Sequence, residues 1–266
     1  MRVAGWFTGV VLFSLASSTS GARAGAFPQR EGEGQIIATS VFTDTTRTFD
    51  ASGKLIPIDQ YKKYELGVYI EYGAADWITL ILKPTLSRVY KEGPPQGLYS
   101  GLGSVEAGAR VKIAQYESIV FSAQALVHVP GSRDQDNPAL AGNTGYEFDA
   151  RLLAGIPFEL AGMPGFADAQ IAYRSRGGDP PNEIRLDLTL GARPVPRLLL
   201  MLQSFNIVAP QAGAPGFPAM RQHKLQASGV WDVSGGWSIQ AGLFTTVASR
   251  NARREHGFLS GVWRRF

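Results

Sequence analysis

The chain has 266 residues, of which 44% are hydrophobic and 18% are charged, and its formal net charge is +4. This apolar content excludes a disordered chain, and so small a charge gives no reason to expect a nucleic-acid partner. The sequence contains no cysteine, which excludes disulfide scaffolds, thiolate metal sites and a cysteine nucleophile.

The first predicted element is a secretory signal peptide over residues 1–24. Arg2 supplies the positive charge, residues 6–16 form an apolar core, and Ala22-Arg23-Ala24 offers a small-residue cleavage site. Cleavage after Ala26 agrees equally well with the sequence, since Ala24-Gly25-Ala26 is also a small-residue site. The alternative is a buried N-terminal helix, but a helix leaves the small residues behind the apolar core unexplained. We therefore expect an exported protein.

Behind the signal peptide we expect a short N-terminal segment over residues 25–33 and a single barrel over residues 34–266. Alternation of polarity with period two gives a strand one apolar and one polar face. In Glu183 to Arg193, for example, leucines alternate with charged or small residues. About twelve such strands are predicted, over residues 34–46, 63–72, 77–88, 102–113, 118–129, 146–156, 166–176, 183–193, 197–208, 222–232, 237–249 and 257–266.

The connections between these strands alternate in length. Tight connections are expected at residues 73–76, 114–117, 159–165, 194–196 and 233–236. Between them lie polar loops at residues 50–61, 89–101, 130–145, 177–182, 209–221 and 250–256. Short turns at one end and longer loops at the other are typical of an all-β, up-and-down antiparallel transmembrane barrel.

The polar strand faces carry an unusual density of charge, ten cations and eight anions. A soluble β-sandwich is the alternative, but in lipid every backbone polar group must be paired, so the sheet closes and its interior becomes polar. We interpret these side chains as candidates for steering or selecting solutes in the lumen, with a purely structural ion-pair network as the alternative. They are Lys63, Glu65, Glu71, Lys83, Glu106, Arg110, Lys112, Glu147, Asp149, Arg151, Asp168, Arg174, Arg176, Glu183, Arg185, Asp187, Arg193 and Lys224.

Aromatic residues flank two of the predicted turns and the C-terminus. Tyr72 and Trp77 flank one turn, and Trp231 and Trp237 flank another, as expected of side chains at a membrane interface. Packing in a soluble core is the alternative interpretation. The terminal Phe266 resembles the assembly signal of bacterial outer-membrane barrels. We therefore expect the outer membrane of a Gram-negative cell as the location, with its lipids and the barrel assembly machinery as partners.

The predicted loops contain two weaker candidates for binding. Residues 132–137 alternate carboxylates with polar side chains, which suggests a Ca²⁺ site, although the spacing of a known calcium loop is missing. Arg250, Arg253, Arg254 and His256 would meet lipopolysaccharide phosphates through charge-assisted hydrogen bonds. A plain solvated loop is the alternative in both cases.

An enzymatic role has to be considered because some twelve-stranded barrels hydrolyse lipids. Such a site needs a nucleophile, a base and an orienting group within reach of one another. His128 shares its predicted strand face with Gln124 and Ser122, but alternation alone explains that placement. We therefore predict no catalytic residues, no metal and no cofactor.

Three stretches resemble a family of outer-membrane transporters named for the MetA pathway of phenol degradation. They are Ile70 to Leu80, Asp168 to Arg174 and Ile184 to Gly191. The resemblance implies a β-barrel that imports aromatic or other small hydrophobic compounds, and it supplies no binding residues.

The sequence thus predicts passive uptake of a small organic solute through a narrow charged lumen. Two alternatives stay open. One is a structural or interaction barrel that conducts nothing, and the other is a lipid-modifying enzyme of the outer membrane.

Overall fold

The computed structural model describes residues 25–140 and 144–266, in which twelve long strands form one antiparallel sheet. The predicted signal peptide lies outside the described residues. The strands are β1 (Gly34–Phe49), β2 (Leu55–Ala75), β3 (Ile78–Lys91), β4 (Gly97–Tyr116), β5 (Ile119–Pro130), β6 (Glu147–Leu160), β7 (Met163–Arg176), β8 (Glu183–Val195), β9 (Leu198–Ala209), β10 (Met220–Ser234), β11 (Trp237–Arg250) and β13 (His256–Arg265), with a two-residue strand β12 (Ala252–Arg253) and a 3₁₀ turn (Pro138–Leu140).

The sheet closes on itself because β1 pairs with both ends of the strand series. Gln35 of β1 lies opposite Glu71 of β2 on one side and opposite Arg265 of β13 on the other. The short β12 continues this seam, with Thr48 opposite Arg253. Each other long strand pairs with its neighbours in the chain. The predicted all-β, up-and-down barrel of about twelve strands is therefore confirmed.

The connections divide the barrel into two different ends. Five two-residue turns, at residues 76–77, 117–118, 161–162, 196–197 and 235–236, lie at one end, which we call the turn end. Gly235 and Gly236 have φ angles of 53° and 81°, as a type I′ hairpin turn requires. The opposite end, here the loop end, carries the six longer connections. This asymmetry agrees with the pattern predicted from the sequence.

Several strands run further towards the loop end than alternation predicted. β2 begins at Leu55 and β4 at Gly97, within loops predicted at residues 50–61 and 89–101. Backbone pairing continues there although the side chains no longer alternate, so the signal fades before the strand ends. Residues 50–54 form the tight loop that remains. Hydrogen bonds from the Ser52 hydroxyl and the Lys54 N–H hold the pKa of the Asp50 carboxyl below its usual value.

The two faces of the wall are opposite to those of a soluble barrel. On the outside, apolar side chains such as Leu188 and Leu202 are exposed, at 41% and 54%. On the inside, Glu71 and Arg110 are only 2% and 3% exposed to solvent. No helix in the described ranges is long and apolar enough to cross a membrane.

Candidate functional site: the charged lumen

The predicted lumen residues form a nearly continuous set of ion pairs. Sixteen of the eighteen lie within 4.0 Å of an oppositely charged side chain. The other two are Lys112 and Asp168, for which the described residues supply no such partner. The structure thus brings sixteen of these side chains together in ion pairs, while the lumen role of any of them stays a prediction.

Arg174 on β7 is the centre of the network in the loop-end half of the lumen. Its guanidinium lies 3.1 Å from Asp149, 3.0 Å from Glu147 and 3.4 Å from Glu106. Lys83 on β3 completes this group, since its ammonium lies 2.7 Å from Glu106. One cation thus connects carboxylates from β4 and β6.

A second group continues the network along β6 to β8. Arg176 lies 2.7 Å from Glu147 and 2.9 Å from Glu183, and Arg185 lies 2.6 Å from Glu183. Nearer the middle of the barrel, Arg151 pairs with Asp187 at 2.6 Å and with Asp149 at 3.3 Å. Neighbouring lumen strands are therefore joined by side chains as well as by their backbones.

In the turn-end half, the central pair is Arg110 with Glu71, at 2.8 Å, and each side chain is only 3% exposed. Arg110 also donates to Gln124 at 3.0 Å and to the Tyr69 hydroxyl at 3.1 Å. Gln35 donates to the same Glu71 carboxylate. Burial of a charge pair is tolerated when hydrogen bonds satisfy its remaining donors and acceptors, as they do here.

The remaining ion pairs of the lumen form smaller, separate groups. Lys63 lies 2.9 Å from Glu65, and Lys224 lies 2.5 Å from Glu255. Asp232 accepts from Arg193 at 2.8 Å and from Arg265 at 2.9 Å. Three of these residues were absent from the predicted set. The alternation of β10 and β13 would have placed Asp232 and Arg265 on the inner face, whereas Glu255 lies in a predicted outer loop and its contact with Lys224 could not be foreseen.

Residues 25–33, which we call the strap, begin inside the barrel and reach the turn end, where residues 30–33 are exposed. The Ala26 N–H donates to Asp168 on β7, and the Ala26 carbonyl accepts from Ser122 on β5, both at 2.6 Å. Gln29 donates from its backbone to Thr79 on β3 and from its side chain to Glu71 on β2. Ala26 and Phe27 are buried, at 0% and 6% exposure. The strap thus links strands that lie five apart in the barrel.

At the loop end, the 3₁₀ turn packs onto the inner wall. Ala139 is buried against Tyr61 and Val89, and the half-buried Tyr99 joins this cluster. The candidate calcium loop leads into this turn. Asp134 accepts from the Asp136 N–H, as expected of a turn-capping carboxylate. No group of three or more His, Asp or Glu side chains in the described ranges is placed to hold a metal ion.

The predicted basic loop is only partly available to a phosphate. The Arg253 guanidinium stacks 4.0 Å above the Tyr61 ring, and Arg254 is half-buried. Arg250 and His256 are exposed. Contact with lipopolysaccharide stays a prediction, and it would fall mainly on these last two residues.

The four predicted interface aromatics lie on the outer wall near the turn end. Tyr72, Trp77, Trp231 and Trp237 are all between 43% and 53% exposed. Phe266 is also exposed, and it exchanges backbone hydrogen bonds with Gly34. Their contact with a membrane or with assembly machinery stays a prediction.

The residues considered for an enzyme serve other contacts. His128 lies 3.5 Å from Glu106, and Ser122 donates to the strap. Among the described residues, no serine is hydrogen-bonded to a histidine, so the geometry of a nucleophile with its base is missing there.

The same fold occurs in solved outer-membrane proteins. An outer membrane channel from Pseudomonas putida F1 is similar with a TM-score of 0.73 at 15% identity, covering 92% of this chain and 100% of the channel. The translocator domain of the autotransporter NalP from Neisseria meningitidis gives 0.56 at 11% identity, over 90% of this chain and 91% of that domain. The KdgM porin gives 0.52 at 7% identity, over 87% and 99%.

No protein-family model and no curated protein sequence matches the chain. Membership of the family named for phenol degradation therefore stays a prediction. The likenesses show an outer-membrane type of barrel fold.

Proposed function

We propose that this protein is an outer-membrane channel for the passive passage of a small organic solute. The observation that carries the proposal is the direction of the lumen ion pairs. They run around the wall, between strands that are at most three apart, as in the contact of Arg174 on β7 with Glu106 on β4. Opposite walls of a twelve-stranded barrel are six strands apart. The pairs among the described residues therefore leave the centre of the loop-end half unbridged.

The chemistry of the wall supports a polar path. Charged side chains in a low-dielectric cylinder hold water and set an electrostatic barrier for each kind of ion. The similarity of the fold to an outer membrane channel agrees with this role. Aromatic acids are the first solutes to test, because the sequence resemblance implies import of aromatic compounds.

The test is single-channel recording with purified protein in planar bilayers, with and without aromatic acids. We expect discrete conductance steps, and we expect an aromatic acid that passes through the lumen to reduce the current transiently. A sugar of similar size serves as the control solute. A flat trace under every condition would reject the channel.

A second candidate, a barrel that conducts nothing, is favoured by the strap. This segment occupies part of the lumen at the turn end, with Ala26 and Phe27 buried there. The two candidates differ in the recordings described above, because a closed barrel gives no steps even at high voltage.

A further inference from the structure

Among the described residues, Asp168 is the predicted lumen carboxylate that has no Lys or Arg side chain within 4.0 Å. Of the eight carboxylates predicted to face the lumen, seven pair with Lys or Arg within 4.0 Å. Asp168 instead accepts hydrogen bonds from the Ala26 N–H and the Gln170 side chain, each at 2.6 Å. It is only 4% exposed. Burying the negative charge of a carboxylate is costly, and a nearby cation reduces that cost.

The strap brings Gly25 directly onto this carboxylate. A Cβ atom built on Gly25 would lie 2.0 Å from an Asp168 oxygen, and the φ angle of Gly25 is +80°. Both features require glycine at this position. The Gly25 backbone is therefore in close contact with a buried carboxyl group that has no Lys or Arg side chain within 4.0 Å among the described residues.

Gly25 is also the first residue behind the predicted cleavage site Ala22-Arg23-Ala24. Cleavage by a signal peptidase breaks the peptide bond between Ala24 and Gly25. Water adds its hydroxyl group to the Ala24 carbonyl carbon and its remaining hydrogen to the Gly25 nitrogen, which takes up a further proton near neutral pH. The product is an α-ammonium group on Gly25.

We propose that Asp168 is the binding site for the α-ammonium group of the mature chain. Signal-peptide removal then creates the missing cation of the lumen network, and the resulting ion pair fastens the strap across the turn end. Cleavage precedes folding of an exported barrel, so the charge is present when the lumen closes around it.

The first measurement is the intact mass of protein purified from outer membranes. We expect a chain that begins at Gly25. A chain that begins at Phe27, or one that keeps Met1, overturns the proposal, because neither has an amino group at Gly25.

The second measurement distinguishes the contribution of the α-ammonium group from that of the Ala26 N–H, which also binds Asp168. Phe27→Cys supplies a single thiol, since the natural sequence has no cysteine. In the docked strap this position is buried, so its reaction with a water-soluble maleimide reports release of the strap. Four proteins are compared, with Asp168 or Asp168→Asn, and with or without Ser-Gly inserted between Ala24 and Gly25.

In the chain that begins at Gly25, we expect Asp168→Asn to accelerate labelling about tenfold, which corresponds to roughly 1.4 kcal/mol. The inserted dipeptide moves the ammonium away, so the extended chain should label fast already, and Asp168→Asn should change it little. Asp187→Asn is the matched control, because Asp187 pairs with Arg151 and makes no contact with the strap. An equal acceleration in both chains overturns the proposal. Pro28→Cys repeats the measurement in case Phe27→Cys alone releases the strap.

Discussion

At the scale of single residues, Arg174 has the largest share of the lumen network. Its side chain is 8% exposed and contacts three carboxylates. Removing one member of a buried ionic group costs more than the group contributes as a whole, because the remaining charges stay buried and unpaired. Arg174 is therefore the side chain whose loss should affect stability most.

We expect Arg174→Met to lower the free energy of unfolding by about 3–5 kcal/mol. Arg185→Met is the control, because Arg185 is 22% exposed and contacts the single carboxylate Glu183. The loss of unfolding free energy in Arg185→Met should be clearly smaller than in Arg174→Met. The measurement is urea unfolding in lipid vesicles, followed by circular dichroism. Similar losses in both variants would contradict the central role of Arg174.

Single residues also show what the two-residue alternation of the strands could and could not predict. This alternation predicted an inner position for Arg174 and Glu147, because both belong to clearly alternating strands. The contact of Arg264 was not predictable, because it depends on a neighbouring strand. Its guanidinium lies 5.4 Å from the centre of the Trp237 ring on β11, so this charge is covered by an aromatic side chain.

At the scale of elements, each strand has one face suited to lipid. Leu188 and Thr189 on β8 are adjacent, but Leu188 is exposed on the outer wall, while Thr189 accepts a hydrogen bond from Gln203 inside the barrel. The same substitution should therefore have different effects at the two positions.

We expect Leu188→Arg to destabilise the barrel by about 2–4 kcal/mol if this position lies near the middle of the bilayer. Thr189→Arg should cost less, because it places the charge in the polar lumen. Folding efficiency and urea unfolding in vesicles measure the difference. Equal tolerance of both variants would contradict the assignment of the faces.

The hairpin of β7 and β8 shows the limit of prediction for elements. A loop centred near residues 179–180 predicts Arg176 opposite Glu183. Instead, Arg174 lies opposite Glu183, and Arg176 reaches the same carboxylate diagonally. The Arg176 N–H donates to the Asn182 side chain, so a side-chain oxygen takes the place of a backbone acceptor at this end of the hairpin. Side-chain hydrogen bonds of this kind cannot be deduced from polarity alone.

At the scale of the whole molecule, the barrel was predictable but the strap was not. Twelve alternating segments with unequal connections indicate a closed cylinder, because alternation is a property of the chain itself. Residues 25–33 do not alternate, and their place depends on hydrogen-bonding groups of β2, β3, β5 and β7. Only the assembled lumen brings these groups together.

We expect deletion of residues 25–31, directly behind the signal peptide, to leave the barrel folded and to raise its conductance. The strand pairings do not include these residues, so closure of the sheet does not depend on them. Heat-dependent mobility on a gel tests folding, and planar-bilayer recording tests the current. A deletion of similar length in the loop at residues 210–219 is the control. Unchanged conductance would show that the strap is no barrier.

The seam between β1 and β13 determines when this protein can fold. Gln35 on β1 lies opposite Arg265 on β13, so the cylinder cannot close until β13 has been synthesised. Until then the outward leucines have no lipid and the inward arginines have no cavity. We therefore expect the newly made chain to need periplasmic holding chaperones. In cells that lack these chaperones, the amount of this protein in outer-membrane fractions, measured by immunoblot, should fall.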